Sequence, residues 1–62
     1  MFNKVFYVTH DNIYIEEFIF ELGMPLPSST EFVTINEKSY FVLNKDFDYD
    51  RKVIVIVLRL EK

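Results

Sequence analysis

The chain has 62 residues, a net charge of −3, one histidine and no cysteine, and half of its residues are hydrophobic. This length predicts a single domain, residues 1–62, and the composition is that of a globular protein and not of a disordered one. The absence of cysteine excludes a disulfide framework, and the acidic balance argues against a nucleic-acid backbone as the main partner. No apolar stretch reaches the roughly 20 residues of a membrane helix, so we expect no membrane partner.

The N-terminal segment begins with a predicted strand at Lys4–Thr9. The polar run Thr9–Asn12 then interrupts the apolar stretch too early for the hydrophobic core of a signal peptide. A chain that lacks both this core and cysteines is typical of the cytosol. We therefore expect a cytoplasmic protein.

Residues 13–22 fit two different structures. As a helix, the segment starts at the N-cap Asn12, ends before Gly23 and places five large apolar side chains on one face: Tyr14, Ile15, Phe18, Ile19 and Leu22. As a strand, it forms a hairpin with residues 4–10 through the two-residue turn Asp11-Asn12, since both turn residues tolerate a positive φ. The sequence favours the strand, because six of the ten residues are Ile, Tyr or Phe, which are weak helix formers.

The C-terminal part follows a linker-like segment at residues 23–29, which holds the only glycine and both prolines. Strands are predicted at residues 31–35, at 40–43 with a continuation toward Phe47, and at 53–60, with turns at 36–39 and 48–52. β-Branched and aromatic residues fill the strands, and turn formers lie between them. This pattern predicts a three-stranded antiparallel meander.

Together the five strands predict an all-β fold, a small five-stranded antiparallel meander that curls into an SH3-like partial barrel. The alternative is an α+β fold, in which one helix at about residues 12–22 packs on a four-stranded antiparallel sheet. The last strand, Val53–Leu60, is apolar at odd and even positions as far as Arg59, so it belongs in the middle of the sheet or beneath a partner. Its pattern does not specify which of its two faces is the core.

The layout of the C-terminal part is strand, polar turn, Tyr-x-Val strand, acidic turn and apolar strand. The residues that form it are Pro27, Val33-Thr34-Ile35-Asn36, Lys38, Tyr40, Val42, Phe47-Asp48-Tyr49-Asp50 and Val53–Leu58. From Pro25 onward, this layout resembles a type of short β protein that is common in phage and mobile-element genomes. The resemblance implies a protein that binds a host protein or assembles with itself.

One acidic run has the spacing of a metal site. Asp46, Asp48 and Asp50 match the opening of a calcium loop. Such a loop needs a glycine at its sixth position and a bidentate acid at its twelfth, where this chain has Arg51 and Val57. We therefore predict a solvated turn, with no metal and no other cofactor.

A catalytic arrangement is also not expected. His10 stands beside Asp11, with Ser28 or Ser29 as the available nucleophile. Adjacent residues of a strand point to opposite faces, so His10 and Asp11 would not form the required hydrogen bond easily. Nothing in the sequence marks a strained nucleophile turn or an oxyanion hole. We predict a non-enzymatic protein.

The chain has more large apolar side chains than one face of so small a sheet can bury, since it contains seven Phe and four Tyr. Exposed apolar patches of several hundred Å² normally mark interaction sites. We therefore predict a protein-binding module that forms a homo-oligomer and engages a host protein as a second partner. The interface candidates are Phe41, Leu43, Asp48, Tyr49, Asp50 and one stripe of the last strand, either Val53, Val55 and Val57 or Ile54, Ile56 and Leu58. The alternative is a nucleotide or small-molecule sponge that binds its ligand at subunit junctions.

Overall fold

The computed structural model describes residues 1–61, which form one five-stranded sheet and contain no helix. The strands are β1 (Lys4–Thr9), β2 (Tyr14–Ile19), β3 (Phe32–Ile35), β4 (Lys38–Asp48) and β5 (Val53–Leu60). The sheet curls into a nearly closed barrel. The predicted all-β partial barrel is confirmed, and the alternative with a helix at residues 12–22 is not supported.

The strand order across the sheet is β2-β1-β5-β4-β3. β3, β4 and β5 form the antiparallel meander that the C-terminal sequence predicts. β1 lies beside β5 and runs parallel to it, with Lys4 opposite Val53 and Thr9 opposite Leu58. This central parallel pair differs from the sequential antiparallel order that the sequence suggests. The connection over residues 20–31 makes the pair possible, because it carries the chain from one edge strand to the other.

β1 and β2 form the predicted antiparallel hairpin. The chain reverses over the three residues 10–12 and not over the two expected, because Thr9 N–H already donates to Ile13 C=O at 2.9 Å. Asn12 N–H donates to Thr9 C=O at 2.8 Å, and Asn12 adopts a φ of 66°, a conformation that asparagine tolerates. The strand form prevails because it gives branched and aromatic side chains a pleated surface on which to pack.

A tight turn at Asn36 and Glu37 joins β3 to β4. Ile35 pairs with Lys38, so the turn has two residues, and their φ values of 53° and 68° are both positive. These angles are those of a type I′ turn, whose twist matches that of the flanking strands. The polar turn predicted at residues 36–39 is therefore shorter, and β4 begins earlier.

The core lies on one face of the curled sheet, which we call the inner face. Its buried hydrophobic residues are Val5, Tyr7, Ile35, Tyr40, Val42, Ile54, Ile56 and Leu58. The register explains this set, because Tyr7 lies opposite Ile56 and Val42 lies opposite Leu58. Phe20 and Leu26, from the connection between β2 and β3, pack against the same cluster. The even-numbered stripe of β5 is therefore core, and burial raises the pKa of Tyr7.

A β-bulge in β4 determines which residues face outward. Val42 pairs with Leu58 and Asn44 pairs with Val57, so Leu43 is the extra residue between them. Beyond the bulge the pleat resumes with Asp46 opposite Val55. The acidic half of β4 is thereby turned toward the outer face of the sheet.

Candidate protein-binding surface

The outer face carries an apolar strip along the two central strands of the sheet. The apolar strip consists of Phe6 and Val8 of β1 and Val53, Val55 and Val57 of β5, all of them half-buried. Phe6 lies opposite Val55, and Val8 lies opposite Val57. The structure thus brings the predicted candidates Val53, Val55 and Val57 together on one surface.

Acidic side chains border the apolar strip on the β4 side. Asp46 lies opposite Val55, and Asp48 lies opposite Val53. Asp46 is exposed, whereas Asp48 is half-buried. The candidate Asp48 therefore adjoins the strip, and Asp46 joins it there although the sequence analysis did not place it among the interface residues.

An ion pair borders the apolar strip on the β2 side. Lys4 Nζ lies 3.1 Å from Glu17 Oε2, and Glu17 itself lies opposite Phe6. The Tyr14 hydroxyl donates to Glu17 Oε1 at 3.3 Å. Desolvation and then the charges of Glu17 and Glu16 raise the pKa of Tyr14. The middle of this side of the strip is therefore polar, with Lys4 engaged in the ion pair, whereas the exposed Ile19 lies on the same face opposite Lys4.

Aromatic rings and a guanidinium close one end of the outer face. The Phe41 ring packs edge-on against Phe32, with centroids 5.2 Å apart. The Arg59 guanidinium carbon lies 5.2 Å from the Phe41 centroid, within the range of a cation–π contact. Leu43, at the bulge, is half-buried. The candidates Phe41 and Leu43 thus belong to the same outer face as the apolar strip.

The remaining candidates, Tyr49 and Asp50, lie in the β4–β5 turn and not on the strip. Tyr49 is 70% exposed, and its ring packs at 5.2 Å against Phe2, which itself packs against the core. In the same turn, Asp48 accepts hydrogen bonds from Arg51 N–H at 3.1 Å and from Arg51 Nη1 at 2.9 Å. These two bonds lower the pKa of Asp48. The turn is a separate feature at one end of the sheet.

The β2 edge is a second apolar surface, which the sequence analysis did not identify. Its exposed large side chains are Ile13, Tyr14, Phe18 and Ile19. β2 has a neighbour on one side alone, so its other backbone edge is open. The available signal was the pair of large apolar residues on each side of Glu16 and Glu17, which gives an edge strand apolar side chains on both of its faces.

Among the described residues, the polar clusters of the sequence form no recognisable catalytic or metal-binding site. Within residues 1–61, no group of three His, Cys, Asp or Glu side chains is placed to hold a metal ion. His10 Nε2 does lie 3.4 Å from Asp11 Oδ1, because both residues belong to the turn and not to a regular strand. Across the described chain there is no ligand-sized cavity. None of residues 1–61 belongs to a helix long and apolar enough to span a membrane.

Comparison with protein-family models, with curated proteins and with solved structures gave no match to this chain. The resemblance of the C-terminal layout to short phage proteins stays a prediction, as does the sponge alternative. The candidate functional features of this protein are therefore its two apolar surfaces, the strip on the outer face and the edge of β2.

Proposed function

We propose that the protein is a small non-enzymatic protein-binding module that self-associates through the apolar strip of its outer face. The observation that supports this proposal is that five apolar side chains lie side by side on the central strands, on the face opposite the core. The sheet is a single layer, and the loop residues Phe20 and Leu26 pack on its inner face. The outer face therefore has no protein layer of its own above it among residues 1–61.

The size of the protein suits such a contact. A stable interface covers roughly 800 Å² on each partner. The accessible surface of the protein is 4518 Å², so an interface of that size would take less than a fifth of it. Burial of apolar surface stabilises association by about 25 cal/mol per Å², before the loss of translational and rotational freedom is subtracted. A small domain buries a smaller fraction of its surface on folding than a large one does, so burial against a second copy adds proportionately more to its stability.

The spacing of the valines in the apolar strip favours one arrangement of two copies. A twofold axis that passes near Val55 and runs perpendicular to the strands exchanges the two ends of the strip. Val57 of one copy then lies over Val53 of the other, and the aliphatic side chains pack in the middle. Arg59 of one copy comes to the level of the β4–β5 turn of the other, where Arg51 already engages Asp48. The contact is closed, so this arrangement gives a homodimer.

Sedimentation equilibrium at micromolar concentration tests the proposal. We expect the wild-type protein to be a dimer, and Val55→Lys to be a monomer because a lysine at the centre of the strip cannot be desolvated without cost. Ser29→Lys is the matched control, since it adds the same charge at an exposed loop position, and we expect it to remain a dimer. Circular dichroism establishes that both variants keep the sheet. A wild-type protein that is monomeric throughout this range, or a Val55→Lys variant that associates as the wild type does, would overturn the proposal.

A further inference from the structure

We propose that the open edge of β2 binds an extended, basic segment of another protein, which joins the sheet as a sixth strand. This site is separate from the apolar strip and goes beyond the proposed self-association. β2 ends the strand order, and its exposed side chains are unusually apolar for an edge, with Ile19 exposed to 73%. Natural edge strands are normally protected by charge, shortness or cover, because their unpaired backbone groups recruit further strands.

The hydrogen bonds of β2 show which backbone groups face the open edge. Phe20 N–H donates to Asn3 C=O at 2.9 Å, so residue 20 bonds toward β1. In an antiparallel pair successive residues bond alternately to one side and the other. The backbone groups of Ile19 and Glu17 therefore point away from β1 and are available to an added strand.

One of these backbone groups already makes a hydrogen bond that an added strand would replace. Glu17 N–H donates to the carboxylate Oε1 of Glu16 at 3.2 Å. A carboxylate oxygen thus occupies the position in which an added strand would place a backbone carbonyl. A lysine or arginine of the incoming strand would draw this carboxylate away and leave Glu17 N–H for the new backbone bond.

Charge identifies the occupant as a basic segment and not a second copy of this chain. An antiparallel copy centred on β2 would place Glu16 or Glu17 opposite a glutamate of its partner, and like charges in facing positions are destabilising. Within residues 1–61, Glu17 has an ion-pair partner in Lys4, whereas Glu16 has none. The unpaired carboxylate of Glu16 therefore selects a cation, and the apolar side chains of Tyr14 and Ile19, on the other face of β2, select large apolar residues between the cations.

Nuclear magnetic resonance titration with two short capped peptides tests this proposal, one of alternating valine and lysine and one of alternating valine and glutamate. We expect the lysine peptide to shift the amide resonances of Glu17 and Ile19 and to slow their hydrogen exchange. The glutamate peptide should leave both unchanged. Because the readout is assigned to individual residues, binding at β2 is distinguished from binding at the apolar strip.

Variants at Glu16 provide the matched comparison. We expect Glu16→Lys to weaken binding of the lysine peptide by roughly tenfold or more and to gain affinity for the glutamate peptide. Glu16→Gln should weaken the first without gaining the second, and it keeps the side-chain shape if the lysine variant does not fold. Glu21→Lys removes an exposed carboxylate beyond the end of β2 and should bind as the wild type does. Absence of lysine-peptide binding, shifts centred on Val55, or equal effects of the changes at Glu16 and Glu21 would overturn the proposal.

Discussion

Val42 and Asn44 stand two positions apart in β4 and yet face opposite sides of the sheet. Val42 is buried opposite Leu58, and Asn44 is exposed opposite Val57. Without the extra residue Leu43, the period of two in a strand would put both side chains on one face. The bulge therefore moves the acidic half of β4 to the border of the apolar strip.

Deletion of Leu43 should preserve the fold. With that residue gone, Asn44 pairs with Val57 in a regular ladder, and every later residue of β4 keeps its partner and its face. Deletion of Lys45, two positions later, should be far more damaging, because it turns Phe47 outward and Asp46 inward. Loss of the Phe47 packing alone should lower the free energy of unfolding by roughly 1–2 kcal/mol.

Urea denaturation of the two deletion variants measures this difference, with deletion of Ser29 in the exposed loop as a control for chain length. Equal destabilisation by the deletions of Leu43 and Lys45 would contradict the register described for β4.

Truncation of two neighbouring residues of β5 should have very different effects on the free energy of unfolding. Ile56 is fully buried, so Ile56→Ala should lower the free energy of unfolding by about 2–5 kcal/mol and leave much of this small domain unfolded. Val55 is half-buried on the outer face, and Val55→Ala should reduce stability by about 1 kcal/mol or less. Thermal denaturation followed by circular dichroism checks both values. If the two truncations proved equally costly, the assignment of inner and outer faces would be wrong.

Glycine at position 37 should stabilise the β3–β4 turn. Glu37 adopts a φ of 68° in a type I′ turn, a conformation that favours glycine. Glu37→Gly should raise the free energy of unfolding by about 1 kcal/mol. Glu37→Ala removes the same carboxylate and keeps the Cβ atom, so it should give no gain. Chemical denaturation measures the free energy of unfolding of the two variants. An increase in the alanine variant would show that the effect comes from loss of the charge and not from the backbone conformation.

The turn contact of Asp48 should make stability depend on pH in acid. Hydrogen bonds from the backbone and the guanidinium of Arg51 lower the pKa of Asp48 in the folded protein. A carboxylate whose pKa is lowered by folding stabilises the protein above its unfolded pKa, and this contribution is lost as the pH falls through the folded pKa. The wild-type protein should therefore lose stability below roughly pH 4 more steeply than Asp48→Asn does.

Urea midpoints measured across the acidic range test this dependence. Asp50→Asn is the control, because it removes a neighbouring carboxylate and leaves both Arg51 bonds in place. Identical acid profiles for the wild type and Asp48→Asn would show that the contact contributes nothing in solution.

The sequence predicted the strands because its apolar runs and turn formers are local signals. Lys4–Thr9 and Val53–Leu60 are strands with the predicted bounds. The hairpin at residues 4–19 followed from side-chain types that pack better on a sheet than in a helix. Because successive residues of a strand point to opposite faces, the sequence also limited the outward-facing residues of β5 to two sets. These sets are Val53, Val55 and Val57, or Ile54, Ile56 and Leu58.

The rest depends on contacts between distant segments, which the local pattern does not encode. Both stripes of β5 are apolar, so the choice of core became clear only from its partners, Val5 and Tyr7 on one side and Val42 on the other. No distinctive residue in the sequence indicates the bulge at Leu43. The parallel pairing of β1 with β5 needs the long connection over residues 20–31, whose path the sequence does not specify.

The position of β5 also affects how the chain can fold. Within the sheet of residues 1–61, the β1–β2 hairpin and the β3–β4 hairpin are linked through β5, which pairs with β1 on one side and with β4 on the other. An isolated two-stranded hairpin is at best marginally stable in water. While Val53–Leu60 is still inside the ribosome, the two hairpins of a nascent chain therefore lack the strand that pairs with both. We expect the barrel to assemble cooperatively once that segment emerges.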